Sequence, residues 1–197
     1  WYGTDAELLQ WWISFTLRRT PTGIVDVTAG RLRFWKGSPY LHILTKMDLV
    51  PMDESILKRD FRDTGLPDAG TDAVVFDPPH VSDNATPGAS QRIAKDMGFG
   101  SVEGEVDVTS TFPSFMKEAM RILRPEGVCL CKIADQVHRS KSRWQHVSLM
   151  LAAEQEGLTG CDMIIKVRKS AIMGAWKRVL HSRKVHAFWI ALRKGGC

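Results

Sequence analysis

Residues 72–80 read DAVVFDPPH: a short apolar run closed by an acid, two prolines and a histidine. The run Ala73-Val74-Val75-Phe76 suits a strand buried on both faces of a parallel sheet. Pro78 and Pro79 cannot donate ladder hydrogen bonds and bias their predecessors away from helix, so the chain must leave the sheet extended at Asp77. A carboxylate is thereby held at a strand's carboxyl end, where open α/β sheets bind their ligands. On these letters alone, an acidic turn residue before a Pro-Pro kink is an equal reading. Lys132, Asp135 and Gln136 leave a later apolar run beside the same edge, as substrate contacts or as plain caps. Asp5 and Glu7 read as solvated surface. His138 and His146 have no carboxylate partner at ligand spacing, so no metal site is expected.

Charge supplies a second signal. The formal net charge is +5, and its distribution is uneven: from Met163 onward there are nine Lys/Arg and no acid, whereas residues 1–162 carry 18 basic against 22 acidic groups. Such an end fits a polyanion partner, since Lys/Arg clusters release counterions from phosphates. A solvated basic tail is the plainer alternative. The four cysteines form no CxxC pair. Cys129 and Cys131 share one face of an apolar strand and read as a free, reduced pair, which suits a cytoplasmic compartment. No run of eighteen apolar residues and no signal peptide is read.

The 197 residues suit one domain, with an N-terminal helix in 1–20, a long loop at 81–110 that belongs to substrate handling, and a basic connection at 166–184. Thr4 or Asp5 caps a helix running to about Arg19. Strands follow at 23–27, 41–45, 56–61 and 72–76. A helix at 111–123 ends before Pro125, GVCLCKI is the fifth strand, and 142–158 is a further helix. The segments 161–167 and 186–192 close the sheet as an antiparallel pair. Strands alternating with helices predict a doubly wound, mostly parallel seven-stranded α/β sheet with an antiparallel last strand.

In this order, the glycine turn DVTAGRLRFW after strand one, Asp48 after strand two, Asp60-Phe61 after strand three and DPPH after strand four resemble S-adenosylmethionine-dependent methyltransferases that act on exocyclic amines of nucleobases. EAMRILRPEGVCLCKIADQ and RKVHAFWIALRK look like later parts of the small phage-type and bacterial DNA members. The resemblance spans about Asp26 to Lys194 and implies a Rossmann-like fold, S-adenosyl-L-methionine as cofactor and S-adenosyl-L-homocysteine as product. It also implies that Asp26, Thr28, Ala29 and Gly30 lie at the cofactor's methionine part, that Asp48 takes its ribose hydroxyls, and that Asp60 and Phe61 flank its adenine. Asp77, Pro78, Pro79 and His80 would meet a base flipped out of the duplex, with Asp77 also at the cofactor's edge.

The implied reaction is methylation of adenine N6 in DNA; cytosine N4, an RNA base amine, and a non-catalytic nucleic-acid-binding relative are the alternatives. Lys166, Arg168, Lys169, Lys177, Arg178, Arg183, Lys184 and His186 would then contact the nucleic acid. Two departures from the family pattern stand out: Leu32 where a second glycine is usual, and His80 where Tyr, Phe or Trp is commoner.

Overall fold

The computed structural model describes residues 3–78, 108–138, 141–167 and 185–197. Helix α1 spans Asp5–Leu17, α2 Phe112–Ile122 and α3 Gln145–Gln155. The strands are β1 Ile24–Asp26, β2 Leu44–Asp48, β3 Leu57–Lys58, β4 Thr71–Phe76, β5 Leu123–Ile133, β6 Gln136–His138, β7 Lys141–Arg143, β8 Leu158–Val167 and β9 His186–Lys194. Seven of them form one sheet in the order β3-β2-β1-β4-β5-β9-β8, and β6 pairs with β7 in a separate hairpin. All pairings from β3 to β5 are parallel, while β9 runs antiparallel to both β5 and β8. The expected doubly wound, mostly parallel seven-stranded sheet with one reversed strand is thus the fold observed.

Local chemistry accounts for the elements. Thr4 and Glu7 form a reciprocal capping box at the start of α1, and Arg18 ends it in the left-handed region at φ 53°. β4 alternates strictly: Val74 and Phe76 face α2 and α3, whereas Ala73 and Val75 face α1. Phe76 stacks on Phe115 of α2 at 3.8 Å, and on the opposite face Trp12 of α1 meets Trp189 of β9 edge to face at 6.3 Å.

Several boundaries differ from expectation. The second strand starts at Leu44, because residues 41–43 form a 3-10 turn. The third is only two residues long. The fifth reaches back to Leu123, since Pro125 sits in a bulge where the β4–β5 register shifts rather than in the ladder. Gly127 closes that bulge: a Cβ there would lie 2.8 Å from the Arg124 carbonyl oxygen. Cys129 and Cys131 are free and buried, as read, but Cys161 and Cys197 are joined by a disulfide that no spacing rule suggested. No helix among the described residues is long and apolar enough to cross a membrane.

Candidate active site at the carboxyl ends of the strands

Strand order reverses between β1 and β4, and at such a switch point the connections depart in opposite directions and leave a crevice. Asp26 ends β1, Asp48 ends β2 and Asp77 follows β4 directly, so the sheet brings these three carboxylates to one edge. Pro78, which is buried, continues from Asp77. Pro79 and His80 lie outside the described residues.

Thr28 joins the two sides of the crevice. Its backbone N–H donates to Asp26 Oδ1 at 3.0 Å, and its Oγ1 accepts the Asp77 N–H at 2.7 Å. Asp26 is 2% exposed and also accepts the Trp35 indole N–H at 2.6 Å, so it supports the turn from beneath. Burial pushes its carboxyl up to about 7 despite those two donors, and Asp77 and Asp48 push the same way. Because folding favours the neutral form, this contribution to stability is whole below about pH 4 and is lost as pH rises through about 7, on the order of a few kcal/mol. Asp26→Asn is expected to remove that decline. Melting temperature followed from pH 5 to pH 8 checks it: the variant's profile should be flat where wild type falls, even if one lost hydrogen bond costs about 1 kcal/mol throughout.

The glycine turn wraps over this support. Ala29 donates its N–H to the Met47 carbonyl at 2.9 Å, fixing the turn to the end of β2. Gly30 adopts φ +50°, and its N–H donates to Asp48 Oδ2 at 2.9 Å, while Asp48 Oδ1 accepts the Val50 N–H at 2.9 Å. Leu32 also has a positive φ, 56°, a conformation that costs a branched side chain roughly 1 kcal/mol or more. The backbone therefore keeps a glycine-type shape at the position where the expected second glycine is missing. The Leu32 side chain packs with the α1-side core.

Asp60 and Phe61 follow β3 at the same end of the sheet. Asp60 is held by Arg62 through contacts of 2.5–3.1 Å, which keep its carboxyl below the usual range against a partial burial that would raise it. Phe61 sets its ring edge-on to Phe76 at 5.2 Å and to Phe115 at 5.8 Å.

Beside Asp77 stands Lys132 of β5. Its Nζ is 3.3 Å from Asp77 Oδ2 and 3.1 Å from Asp5 Oδ2, and it lies over the rings of Phe34 and Trp189 at 5.1 and 5.8 Å. Lys166 reaches the other Asp5 oxygen at 2.8 Å. Asp5 is thus part of an inward network rather than solvated surface. Sequence reading missed it because its partners are 127 and 161 residues away.

His146 does have a carboxylate partner: Asp135 Oδ1 lies 2.7 Å from its Nδ1, and the ring stacks on Phe188 at 4.0 Å. Sequence reading missed the pair because Asp135 directly precedes β6 while His146 lies 11 residues further on in α3. His186 opens β9 with its ring edge-on to Phe188 at 4.9 Å. Of the lysines and arginines expected at nucleic acid, Lys166 is the one described; Arg168, Lys169, Lys177, Arg178, Arg183 and Lys184 lie outside the described residues, as does most of the 81–110 loop.

No family model and no curated protein sequence matches the chain. Solved structures do. A Burkholderia thailandensis 1,6-didemethyltoxoflavin-N1-methyltransferase, bound to 1,6-didemethyltoxoflavin and S-adenosylhomocysteine, superposes with a TM-score of 0.60 at 12% identity, covering 97% of this chain and 78% of that one. The N-methyltransferase NodS from Bradyrhizobium japonicum superposes at 0.57 and 13% identity, covering 96% and 94%. A Thermus thermophilus protein provisionally described as a DNA modification methylase matches at 0.47 and 17% identity over 70% of this chain, which spans about half of that protein's length, 51%. At these identities the likeness is one of architecture: the chain has the Rossmann-like fold of the two N-methyltransferases.

Proposed function

We propose that this chain transfers a methyl group from S-adenosyl-L-methionine to the exocyclic amine of a nucleobase in DNA, adenine N6 first among the candidates. The observation that carries the reading is the placement of Asp77 and the Gly30–Asp48 turn on the two sides of one switch-point crevice. The residues suit the cofactor. The carboxylates of Asp48 and Asp77 stand at this crevice and favour a cationic sulfonium and ammonium over an anion, with Asp26 buried beneath the turn. A Cβ on Gly30 would meet nothing nearer than the Thr28 carbonyl oxygen at 3.8 Å, so the turn is open at its crest. When bound, the cofactor supplies an electrophilic methyl whose bonding pair departs with sulfur.

The chain's own residues would act on the amine. Asp77 accepts one N–H and the Pro78 carbonyl another, which draws the delocalised nitrogen lone pair out of the ring. The new bond forms from that lone pair, and the surplus amine proton leaves through the Asp77 carboxylate to water. Orientation rather than covalent catalysis carries the rate. A duplex base would have to be extruded to reach the crevice.

Two measurements test the reading. Nucleosides from DNA incubated with protein and cofactor, analysed by mass spectrometry, should contain N6-methyladenine; N4-methylcytosine, or methylation of RNA alone, would redirect the substrate, and no product would overturn the proposal. Asp48→Ala should weaken cofactor binding by about 1–3 kcal/mol in calorimetry, through lost charge-assisted bonds.

The basic segment offers a further check on nucleic acid as the partner. Replacing Lys177, Arg178, Arg183 and Lys184 together should flatten the dependence of log affinity on log salt by about 0.9 per lost duplex phosphate contact. Parallel lines for variant and wild type would remove these residues from the interface.

A further inference from the structure

Among the described residues, Lys132 is the cation paired with the carboxylate that the proposed reaction needs, and it is shared. Its Nζ stands between Asp77 at 3.3 Å and Asp5 at 3.1 Å, with its side chain only 12% exposed and cradled by Phe34 and Trp189. The arrangement alternates in sign, from Asp77 through Lys132 and Asp5 to Lys166, and it draws on four separate elements: the end of β4, β5, the first turn of α1 and the end of β8. Burial alone would push Lys132 towards its neutral form, yet Asp77 and Asp5 together hold it charged. Asp5, which burial would raise, is held below the usual range by Lys132 and Lys166.

An ammonium on Asp77 has two opposed effects. It keeps the carboxylate ionised, and it takes up an oxygen, Oδ2, that an incoming amine would use. A second carboxylate on the far side of the same ammonium relieves the second effect without abolishing the first, because the lysine can shift towards Asp5 and remain paired in a poorly solvated place. Lys166, bonded to the other Asp5 oxygen, keeps that carboxylate turned inward. An acid in the first turn of α1 is also good for the helix, so the capping benefit alone would explain a carboxylate at this position, but not why it faces two lysines.

We propose that Asp5 is a positioning residue for Asp77: by sharing Lys132, it sets how fully Asp77 can accept the amine of the substrate. The inference rests on Asp77 being the acceptor proposed above. Among the described residues, the charged groups that bear on Asp77 are Lys132 from β5, Asp5 from α1, Lys166 through Asp5, and Asp26 and Asp48 at the ends of β1 and β2.

The test is the carboxyl carbon titration of Asp77 by NMR in the full chain, assigned by its loss in Asp77→Asn. Lys132→Met should raise the Asp77 midpoint by about one to three pH units, since an opposite charge 3.3 Å away is gone. Asp5→Asn should move it the other way, because Lys132 is then no longer drawn towards Asp5, and Asp5→Glu should restore the wild-type midpoint. In turnover with DNA, Asp5→Asn should lower kcat about tenfold, the scale of one displaced hydrogen-bond acceptor, with the KM for cofactor unchanged. A midpoint that stays put, or rises, in Asp5→Asn would overturn the proposal and leave Asp5 as a helix-start acid. The titration needs no turnover: absence of any methylated base would defeat the functional reading, while the midpoints would still decide whether Asp5 acts on Asp77.

Discussion

Asp77→Ala is expected to reduce methyl transfer by at least about a thousandfold, while its affinity for S-adenosyl-L-methionine stays near wild type. The magnitude follows from the role: an acceptor that strengthens as charge develops on the amine acts in the transition state, and loss of one such preorganised group typically removes about 10²–10³ or more of rate. The fold should tolerate the change. The Asp77 link to Thr28 is made by its backbone N–H, which alanine retains, and Lys132 keeps Asp5 as a partner. Single-turnover kinetics with saturating cofactor, together with calorimetric titration of cofactor alone, separate the two effects. A variant that turns over at near wild-type rate would end the proposed mechanism.

The largest effect on stability should come from the opposite edge of the sheet. Asp72, at the amino end of β4, has a side chain fully removed from solvent and ties together the segment that joins α1 to β1. It accepts the Thr22 N–H at 2.7 Å, the Thr22 hydroxyl at 2.9 Å and the Gly23 N–H at 3.2 Å, and it pairs with Arg19 at 2.7 Å and Arg124 at 3.0 Å. Asp72→Ala strands all of these at once and should cost about 3–5 kcal/mol, read from the urea midpoint. The sign with pH is opposite to that of Asp26. Burial would raise the Asp72 carboxyl, but its Thr22 and arginine partners hold it below the ordinary value. Its contribution is therefore present above the unfolded value near 4 and is lost as pH falls further. The variant should accordingly lose less stability on acidification than wild type does.

Much of the candidate site was legible because it depends on strand ends. A short β-branched run stopped by Pro-Pro marks the carboxyl end of β4 whatever the surroundings, and the acids at 26, 48 and 77 fall at three neighbouring strand ends. The parallel, doubly wound character of the sheet followed from the alternation of strands and helices, whereas the strand order came only with the structure. Other features were hidden for physical reasons. ADQVHRSKSR has no apolar period, so the β6–β7 hairpin leaves no trace in hydrophobicity. The helix does end before Pro125, but β5 already starts at Leu123 and accommodates the proline in a bulge, with Gly127 making room. The reach of Asp5 to Lys132 and Lys166, and the closure of Cys161 on Cys197, join positions whose separations carry no local signal.

Helix α1 is made long before the strand that completes its packing. Its apolar face lies on β5 and β9, and Arg193 donates to the Thr16 carbonyl from 177 residues further along the chain. At a synthesis rate of about 5–20 residues per second, the Trp12 and Ile13 side chains wait roughly ten to thirty-five seconds on the ribosome before Trp189 exists to cover them. Until β9 emerges, β5 also lacks a neighbour on one side, and α1 can adhere to that open edge or to a chaperone instead. Arrest of translation just before β9 should therefore leave a nascent chain in which the Trp12 face of α1 is uncovered and open to protease, a face that the finished protein buries completely.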